Sequence, residues 1–114
     1  MDTLEIQRKA GTAAKTTILH LNGPLTLATL FEFQDTLRQP GLENTILDLS
    51  DVPYMDSAGL GAIMSHWAHT QRNKFKFAVA GANERVRTVF EMTKVDTVLP
   101  VVASTEDAER NFQA

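Results

Sequence analysis

The chain has 114 residues, of which 43% are hydrophobic and 22% are charged, so its length and composition allow one globular domain with one core. Its formal net charge of −3 argues against nucleic-acid binding, since phosphate contacts require clustered Lys and Arg. The absence of Cys excludes disulfides, thiolate metal ligands and Cys nucleophiles, and no apolar run approaches the roughly 20 residues that span a bilayer. Because the first eleven residues also lack the apolar segment of a secretory signal, we expect a single cytoplasmic domain over residues 1–114, without membrane insertion.

The hydrophobic pattern predicts nine secondary-structure elements in the order β-β-α-β-α-β-α-β-α. In chain order they are strands over 4–9 and 16–23, a helix over 27–39, a strand over 44–52, a helix that begins near residue 56, a strand over 74–82, a helix over 84–95, a strand over 98–104 and a final helix over 104–114. The first two strands can form a hairpin, and the later strands alternate with helices. This order predicts an α/β fold in which a mixed sheet of about five strands packs against about four helices, with successive strands as neighbours.

Periodicity also predicts which side chains of these elements face the core. The predicted inward faces are Leu30, Phe33 and Leu37 in the first helix and Leu60, Ile63, Met64, Trp67 and Gln71 in the second. In the fourth strand, Phe and Val residues alternate with Lys76 and Ala78, which predicts one buried face and one polar face. Pro100 predicts that the fifth strand lies at an edge of the sheet.

The stretch YMDSAGLG, at 54–61, joins the third strand to the second helix and sets an acid beside a hydroxyl. With Asp56 as the N-cap, Met55 stands at N′ and Leu60 at N4, which are the two positions of a hydrophobic staple. With Ser57 as the N-cap, the N4 residue would be a glycine and no staple would exist. We therefore predict that Asp56 caps the helix and that the Ser57 hydroxyl, at N1, is free to face solvent.

Two glycines, Gly59 and Gly61, stand in the first turns of the same helix, where each costs about 0.5–1 kcal/mol relative to Ala. A capping role does not require that cost. Bare backbone allows a close approach, either by a neighbouring element of the chain or by a partner protein, and the sequence leaves both open.

An exposed hydroxyl at a helix N-terminus is also a suitable position for a phosphate group, because free N–H groups and the helix dipole favour a dianion. The carboxylate of Asp56 opposes this by repulsion. Phosphorylation of Ser57 would therefore leave the fold intact and make the local surface strongly negative. That behaviour is typical of a switch that acts on a docking surface.

Two enzyme classes that use a strand-to-helix turn are not supported by the residues. A nucleophile elbow requires Gly two positions before the Ser, where Ser57 has Met55. Of the three His residues, His66 and His69 lie roughly 13–18 Å along the helix from Ser57, at about 1.5 Å per residue, which is too far for a general base. A dinucleotide fingerprint would need a third glycine where Met64 stands. We expect neither catalytic residues nor a cofactor.

The pair His66 and His69 could in principle share a metal ion, because the two residues are three positions apart on one helix. No acidic residue or third His stands near them in the sequence. We interpret them as two solvated polar residues on the outer face of an amphipathic helix, and we predict no metal site.

The segment ILDLSDVPYMDSAGLGAIM resembles the signature of STAS domains, and most closely that of the bacterial anti-sigma factor antagonists. In that family a buried strand ends in Asp-Ser or Asp-Thr, followed by a small residue and Gly-Leu-Gly. The segment LNGPLTLATLFEFQDTL stands where the family has the end of its second strand and its first helix. The segment VAGANERVRTVFEMTKVDTVLPV is similar to the family's fourth strand, third helix and final strand, so the resemblance covers nearly the whole chain.

The resemblance implies a partner-switching regulator without enzymatic activity. In the family, the unphosphorylated antagonist binds an anti-sigma factor that is also a serine kinase, and this frees a sigma factor. The kinase phosphorylates the Ser or Thr after the Asp and thereby releases the antagonist, and a phosphatase resets it. The resemblance makes Ser57 the phosphoacceptor and Asp56 its flanking acid. It also implies a kinase-docking surface made of Asp56, Ser57, Ala58, Gly59, Leu60, Gly61 and Thr26.

Thr26 is a departure from the family, because many antagonists carry an Asp shortly after the Gly that ends the second strand. A Thr can still cap the following helix, but it offers no charge to a kinase. STAS domains also serve as non-switching subunits of lipid-transport ABC systems and of stress-sensing complexes, and this is the alternative function. The edge strands allow weak pairing, so we expect a monomer or a weak dimer.

Overall fold

The protein is described over residues 3–113 by a computed structural model, in which five strands form one mixed sheet with helices on both faces. In chain order the elements are β1 (Glu5–Ala10), β2 (Thr16–Asn22), a 3-10 turn (Leu27–Thr29), α1 (Leu30–Leu37), β3 (Asn44–Asp51), α2 (Ser57–Arg72), β4 (Phe77–Ala80), α3 (Glu84–Met92), a second 3-10 turn (Val95–Thr97), β5 (Val101–Val102) and α4 (Thr105–Gln113). The nine predicted elements are present in the predicted order. Among residues 3–113, no helix is both long enough and apolar enough to cross a membrane.

The strands lie in the sheet in the order in which they occur in the chain. β1 and β2 form the predicted antiparallel hairpin, and β2, β3, β4 and β5 pair in parallel. Beyond the ends of β2 and β3 the two chain segments pair in parallel once more, through an isolated bridge between Leu25 and Met55. The segments that follow these two strands therefore run side by side, and this places residues 23–26 against residues 51–56.

Two apolar cores lie on opposite faces of the sheet. α1, α2 and α3 bury Phe33, Ile63 and Phe90 in the larger core, and α4 covers the smaller one with Ala108 and Phe112. This arrangement explains why the fourth strand does not have the predicted polar face. Its four residues are all buried, with Phe77 and Val79 in the larger core and Ala78 and Ala80 in the smaller one. Phe75 and Lys76 precede the strand.

The region between β4 and α4 departs from the predicted bounds. α3 ends at Met92 rather than at residue 95, because Lys94 adopts a left-handed conformation with φ of 62° and a 3-10 turn follows. β5 has only two residues, Val101 and Val102, instead of seven. Its position at the edge of the sheet, which Pro100 predicted, is confirmed.

The inward face of α2 is wider than the predicted stripe. Met64 and Trp67 pack half-buried against the larger core, as predicted, whereas Gln71 is exposed and its place in the stripe is wrong. Besides Leu60 and Ile63, the helix buries Gly59, Ala62, His66 and Thr70. Small and polar residues can occupy this face because Gly59 packs on the segment before α1, His66 reaches the Thr45 hydroxyl in the sheet, and the Thr70 hydroxyl donates to the Trp67 carbonyl of the same helix.

Candidate functional site

The loop between β3 and α2, residues 52–56, is held from two sides. The amide Nδ2 of Asn83 donates to the carbonyls of Val52 and Pro53, at 3.1 and 3.2 Å. On the other side, the Leu25 N–H donates to the Tyr54 carbonyl at 3.1 Å. The Asn83 Oδ1 also accepts from the Val86 N–H at 2.9 Å, so Asn83 is the N-cap of α3. Asn83 thus joins the loop 52–56 to the start of α3, and the start of α2 has a fixed position.

Asp56 is the N-cap of α2, as predicted, and its second oxygen makes a contact that the sequence did not indicate. Oδ1 accepts from the N–H groups of Ala58 and Gly59, at 2.9 and 3.0 Å. Oδ2 accepts from the N–H of Leu27, at 3.0 Å, in the turn that leads into α1. Desolvation acts to raise the pKa of Asp56, but the backbone donors outweigh it and lower that pKa below its ordinary value. One ionised carboxylate therefore joins the starts of two helices.

The two glycines of the motif have different environments, and only Gly59 is approached closely by a neighbouring element of the chain. A Cβ on Gly59 would lie 2.4 Å from the Leu25 carbonyl oxygen and 2.9 Å from the Leu25 Cβ, so the helix packs directly on that backbone. A Cβ on Gly61 would have no heavy atom within 4 Å. Gly59 is required for close packing within the chain, whereas Gly61 lies at the exposed surface.

Ser57 is exposed at position N1 of α2, next to the capping carboxylate. Its hydroxyl makes no hydrogen bond with any residue of the described range 3–113. The N–H groups one turn into the helix, which could otherwise bind an anion, already donate to Asp56. A group attached to the Ser57 hydroxyl would therefore extend into solvent beside a negative charge.

The other predicted docking residues divide by exposure. Gly61 is exposed, and Thr26 and Ala58 are half-buried. Leu60 is buried together with Met55 in the larger core, as expected for the staple, and it is not available as a contact side chain. Gly59 and Leu60 are thus buried beneath the exposed residues of the predicted docking surface.

Thr26 caps the 3-10 turn that leads into α1, as predicted. Its Oγ1 accepts from the Ala28 N–H at 3.2 Å, and its own N–H donates to the Thr29 Oγ1 at 3.1 Å. The buried Thr29 hydroxyl donates in turn to the Pro24 carbonyl at 2.7 Å. This reciprocal capping box gives the turn a defined geometry beside Asp56.

Two large apolar side chains near the site were missed by the sequence analysis. Leu27 is 72% exposed and Phe31 is 83% exposed, and they lie four residues apart at the start of α1. The inward stripe of this helix, with Phe33 buried and Leu30 and Leu37 partly buried, points elsewhere. The sequence did contain a signal for them, because Leu27 and Phe31 are an apolar pair at helical spacing that does not belong to the predicted inward stripe of α1.

His66 contradicts the interpretation of the His pair as two solvated residues. It is only 5% exposed, its Nε2 lies 3.2 Å from the Thr45 Oγ1, and its ring packs edge-on against Phe77. Burial, with a smaller effect of the nearby His69, lowers the pKa of His66 to about 4, so the ring is neutral at pH 7. The described residues contain no group of three or more His, Cys, Asp and Glu side chains placed to hold a metal ion.

His20 lies between two carboxylates and is not a base for Ser57. Its Nδ1 is 2.9 Å from Asp48 and its Nε2 is 2.8 Å from Asp51. The hydrogen bond with Asp48 raises the pKa of His20, although burial acts in the opposite direction. Since both ring nitrogens face acceptors, the imidazolium form is favoured. Over residues 3–113, no His forms a hydrogen bond with Ser57.

A cavity of about 490 Å³ lies away from the motif, between the end of α1 and the second half of α2. Arg38, Ser65, His66 and His69 are among its lining residues. Neither Ser57 nor Asp56 lines it.

Comparison with known proteins gives consistent results. The family model of the STAS domain matches residues 4–108. An anti-sigma-B factor antagonist of Staphylococcus aureus is 29% identical over 89 residues, which cover 75% of this chain and 82% of that protein.

Solved structures with the same fold come from several bacteria. A proposed anti-sigma factor antagonist of Thermotoga maritima superimposes with a TM-score of 0.86 at 23% identity, over 96% of this chain and 95% of its own. The phosphorylated form of the Bacillus cell fate determinant SpoIIAA has a TM-score of 0.70 at 15% identity, over 93% and 98% of the two chains. A sulfate transporter family protein of Wolinella succinogenes has a TM-score of 0.75 at 18% identity, over 92% and 90%. These structures share the fold with this chain.

Proposed function

The chain belongs to the STAS domain family, and on this premise we propose that it is a cytoplasmic anti-sigma factor antagonist that is switched off by phosphorylation of Ser57. Its partner is an anti-sigma factor that is also a serine kinase. Binding of this partner frees a sigma factor, phosphorylation releases the partner, and a phosphatase restores the unmodified chain. The chain itself acts by binding and carries out no catalysis.

The observation that carries the proposal is the Ser57 hydroxyl, which is exposed at the start of a rigidly held helix and makes no hydrogen bond within residues 3–113. A phosphate adds a charge of about −1.5 to −2 at pH 7. It would stand beside the ionised Asp56, whose carboxylate already occupies the nearby helix donors. The added charge therefore changes the surface that a partner meets, and it leaves the core unchanged.

The similar proteins support the same proposal. The Staphylococcus aureus relative is named an anti-sigma-B factor antagonist, and SpoIIAA was solved in a phosphorylated form. The proposed contact surface consists of Ser57, Ala58, Gly61 and Thr26, with Asp56 as the residue that positions them. Gly59 and Leu60 contribute by packing underneath.

The first experiment identifies the partner and tests the switch. The tagged chain is used to recover its partner from native lysate, and the purified pair is then measured by isothermal titration calorimetry. We expect Ser57→Asp to weaken binding at least tenfold, about 1.4 kcal/mol. Ser57→Ala should bind as the wild type does.

Ser65 provides the matched control, because it is an exposed Ser on the same helix two turns further on. Ser65→Asp adds the same charge and should leave the Kd unchanged. Incubation of the pair with ATP should add one phosphate to the wild type and none to Ser57→Ala, as measured by intact mass. Equal affinities of the wild type and Ser57→Asp would rule out the proposed switch.

The alternative function is a non-switching STAS subunit of a lipid-transport ABC system or of a stress-sensing complex. Thr26, uncharged where many antagonists carry Asp, and the structural similarity to a sulfate transporter family protein favour this alternative. It predicts a stable complex with a transporter ATPase or another STAS domain. Ser57→Asp would then leave co-purification unchanged.

A further inference from the structure

The pair of exposed apolar side chains at the start of α1 is unusual for a surface beside a polar motif. Leu27 and Phe31 are 72% and 83% exposed, and with a spacing of four residues they lie on one side of the helix start. No charged residue occurs between Gly23 and Phe31. A protruding aromatic ring on a segment without charged residues is typical of a protein interface, where Phe is enriched.

This apolar pair is joined directly to the candidate switch. The Leu27 N–H donates to Asp56 Oδ2 at 3.0 Å, and Asp56 immediately precedes Ser57. The Thr26 capping box fixes the same turn from the other side. These contacts fix the backbone of the turn, so Leu27 and Phe31 project from a support that need not be ordered when a partner binds.

We infer that Leu27 and Phe31 form an apolar anchor that inserts into a hydrophobic hollow of the anti-sigma factor, so that the partner covers the anchor and Ser57 together. The inference rests on the proposed function and names the chemistry of the partner surface. At this point of the interface the partner recognises apolar shape, because the two protruding side chains are apolar and the adjacent Thr26 is uncharged.

The anchor also gives a physical reason for release. A partner surface that packs against Leu27 and Phe31 excludes water from the neighbouring hydroxyl. A phosphate on Ser57 would then have to lose its hydration beside the Asp56 carboxylate, and burial of a charge next to a like charge is strongly unfavourable. Binding of the modified chain is therefore prevented by desolvation beside the anchor.

The test uses the purified anti-sigma factor and calorimetry with Leu27→Ala, Phe31→Ala and the double variant. We expect Phe31→Ala to weaken binding at least tenfold and the double variant to weaken it further. Met92→Ala is the matched control, because Met92 is 79% exposed at the end of α3 that is remote from the Asn83 contact with the loop. It should bind as the wild type does. The urea midpoints of all variants should stay near that of the wild type, since the side chains removed are exposed.

Two further measurements separate an apolar anchor from a general disturbance. Phe31→Leu should recover most of the affinity, whereas Phe31→Glu should bind more weakly than Phe31→Ala. The ratio of the Kd values of Phe31→Ala and wild type should be the same at low and high salt, because screening acts on charges.

Wild-type affinity of Phe31→Ala, or an equal loss with Met92→Ala, would overturn the anchor while leaving the switch at Ser57 untouched. Loss of affinity in Phe31→Ala with none in Ser57→Asp would support the anchor and reject the switch. A wild-type chain that binds no anti-sigma factor would reject both.

Discussion

The different environments of the two motif glycines lead to opposite effects on stability when each is replaced by Ala. In Gly59→Ala the new methyl would meet the Leu25 carbonyl oxygen at 2.4 Å and the Leu25 carbonyl carbon at 2.9 Å. This backbone cannot shift freely, because the Leu25 carbonyl accepts from the Asp56 N–H and the Leu25 N–H donates to Tyr54. Overpacking of a rigid site costs about 1–3 kcal/mol.

The net change follows from the same structure. Both substitutions gain about 0.5–1 kcal/mol from the better helix propensity of Ala. Gly61→Ala meets no atom within 4 Å, so we expect it to stabilise the fold by about that amount. Gly59→Ala should be destabilised by up to about 2.5 kcal/mol, because the overpacking cost of about 1–3 kcal/mol exceeds the propensity gain. The propensity gain is common to both variants, so the difference between their unfolding free energies measures the steric effect at Gly59 alone.

Urea unfolding followed by circular dichroism provides the assay. A lower midpoint for Gly59→Ala and a higher one for Gly61→Ala, at equal slopes, would agree with the close packing on Leu25. If the two variants shifted the midpoint in the same direction by the same amount, α2 would not pack on the Leu25 backbone as described, and the reasoning would be refuted.

Three more predictions concern single side chains. Asp56→Asn should keep the cap of α2 but lose the acceptor for the Leu27 N–H, and urea unfolding should show a loss of about 1 kcal/mol, with a larger loss for Asp56→Ala. NMR titration should show His66 neutral until the pH falls towards its pKa of about 4, and a wild-type midpoint near pH 6.5 would contradict the burial described. Because the hydrogen bond with Asp48 raises the pKa of His20, its contribution to the unfolding free energy is present below pH 6.5 and lost as the pH rises through the raised pKa. Thermal unfolding of wild type and His20→Gln at several pH values should show their difference shrinking at alkaline pH, and a constant difference would speak against the ion pairs.

The sequence by itself determined those features that depend on neighbours within a few residues. The element order, the Asp56 cap, the burial of Met55 with Leu60 and the exposure of Ser57 all agree with the structure. Capping bonds and staples join residues at fixed offsets along one helix, so the order of residue types is sufficient to place them. The opening hairpin and the edge position of Pro100 were accessible for the same reason.

Tertiary structure alone decided the features that join residues distant along the chain. Asp56 reaches Leu27, 29 residues away, because the ends of β2 and β3 run in parallel, and the same pairing sets the Leu25 backbone against Gly59. His66 could be buried only because β3 brings a hydroxyl to its ring, and no local pattern encodes that meeting. Such contacts depend on strand register and on which helix covers which face. These follow from packing of the whole chain, and therefore the surface around Ser57 could be described only once the fold was known.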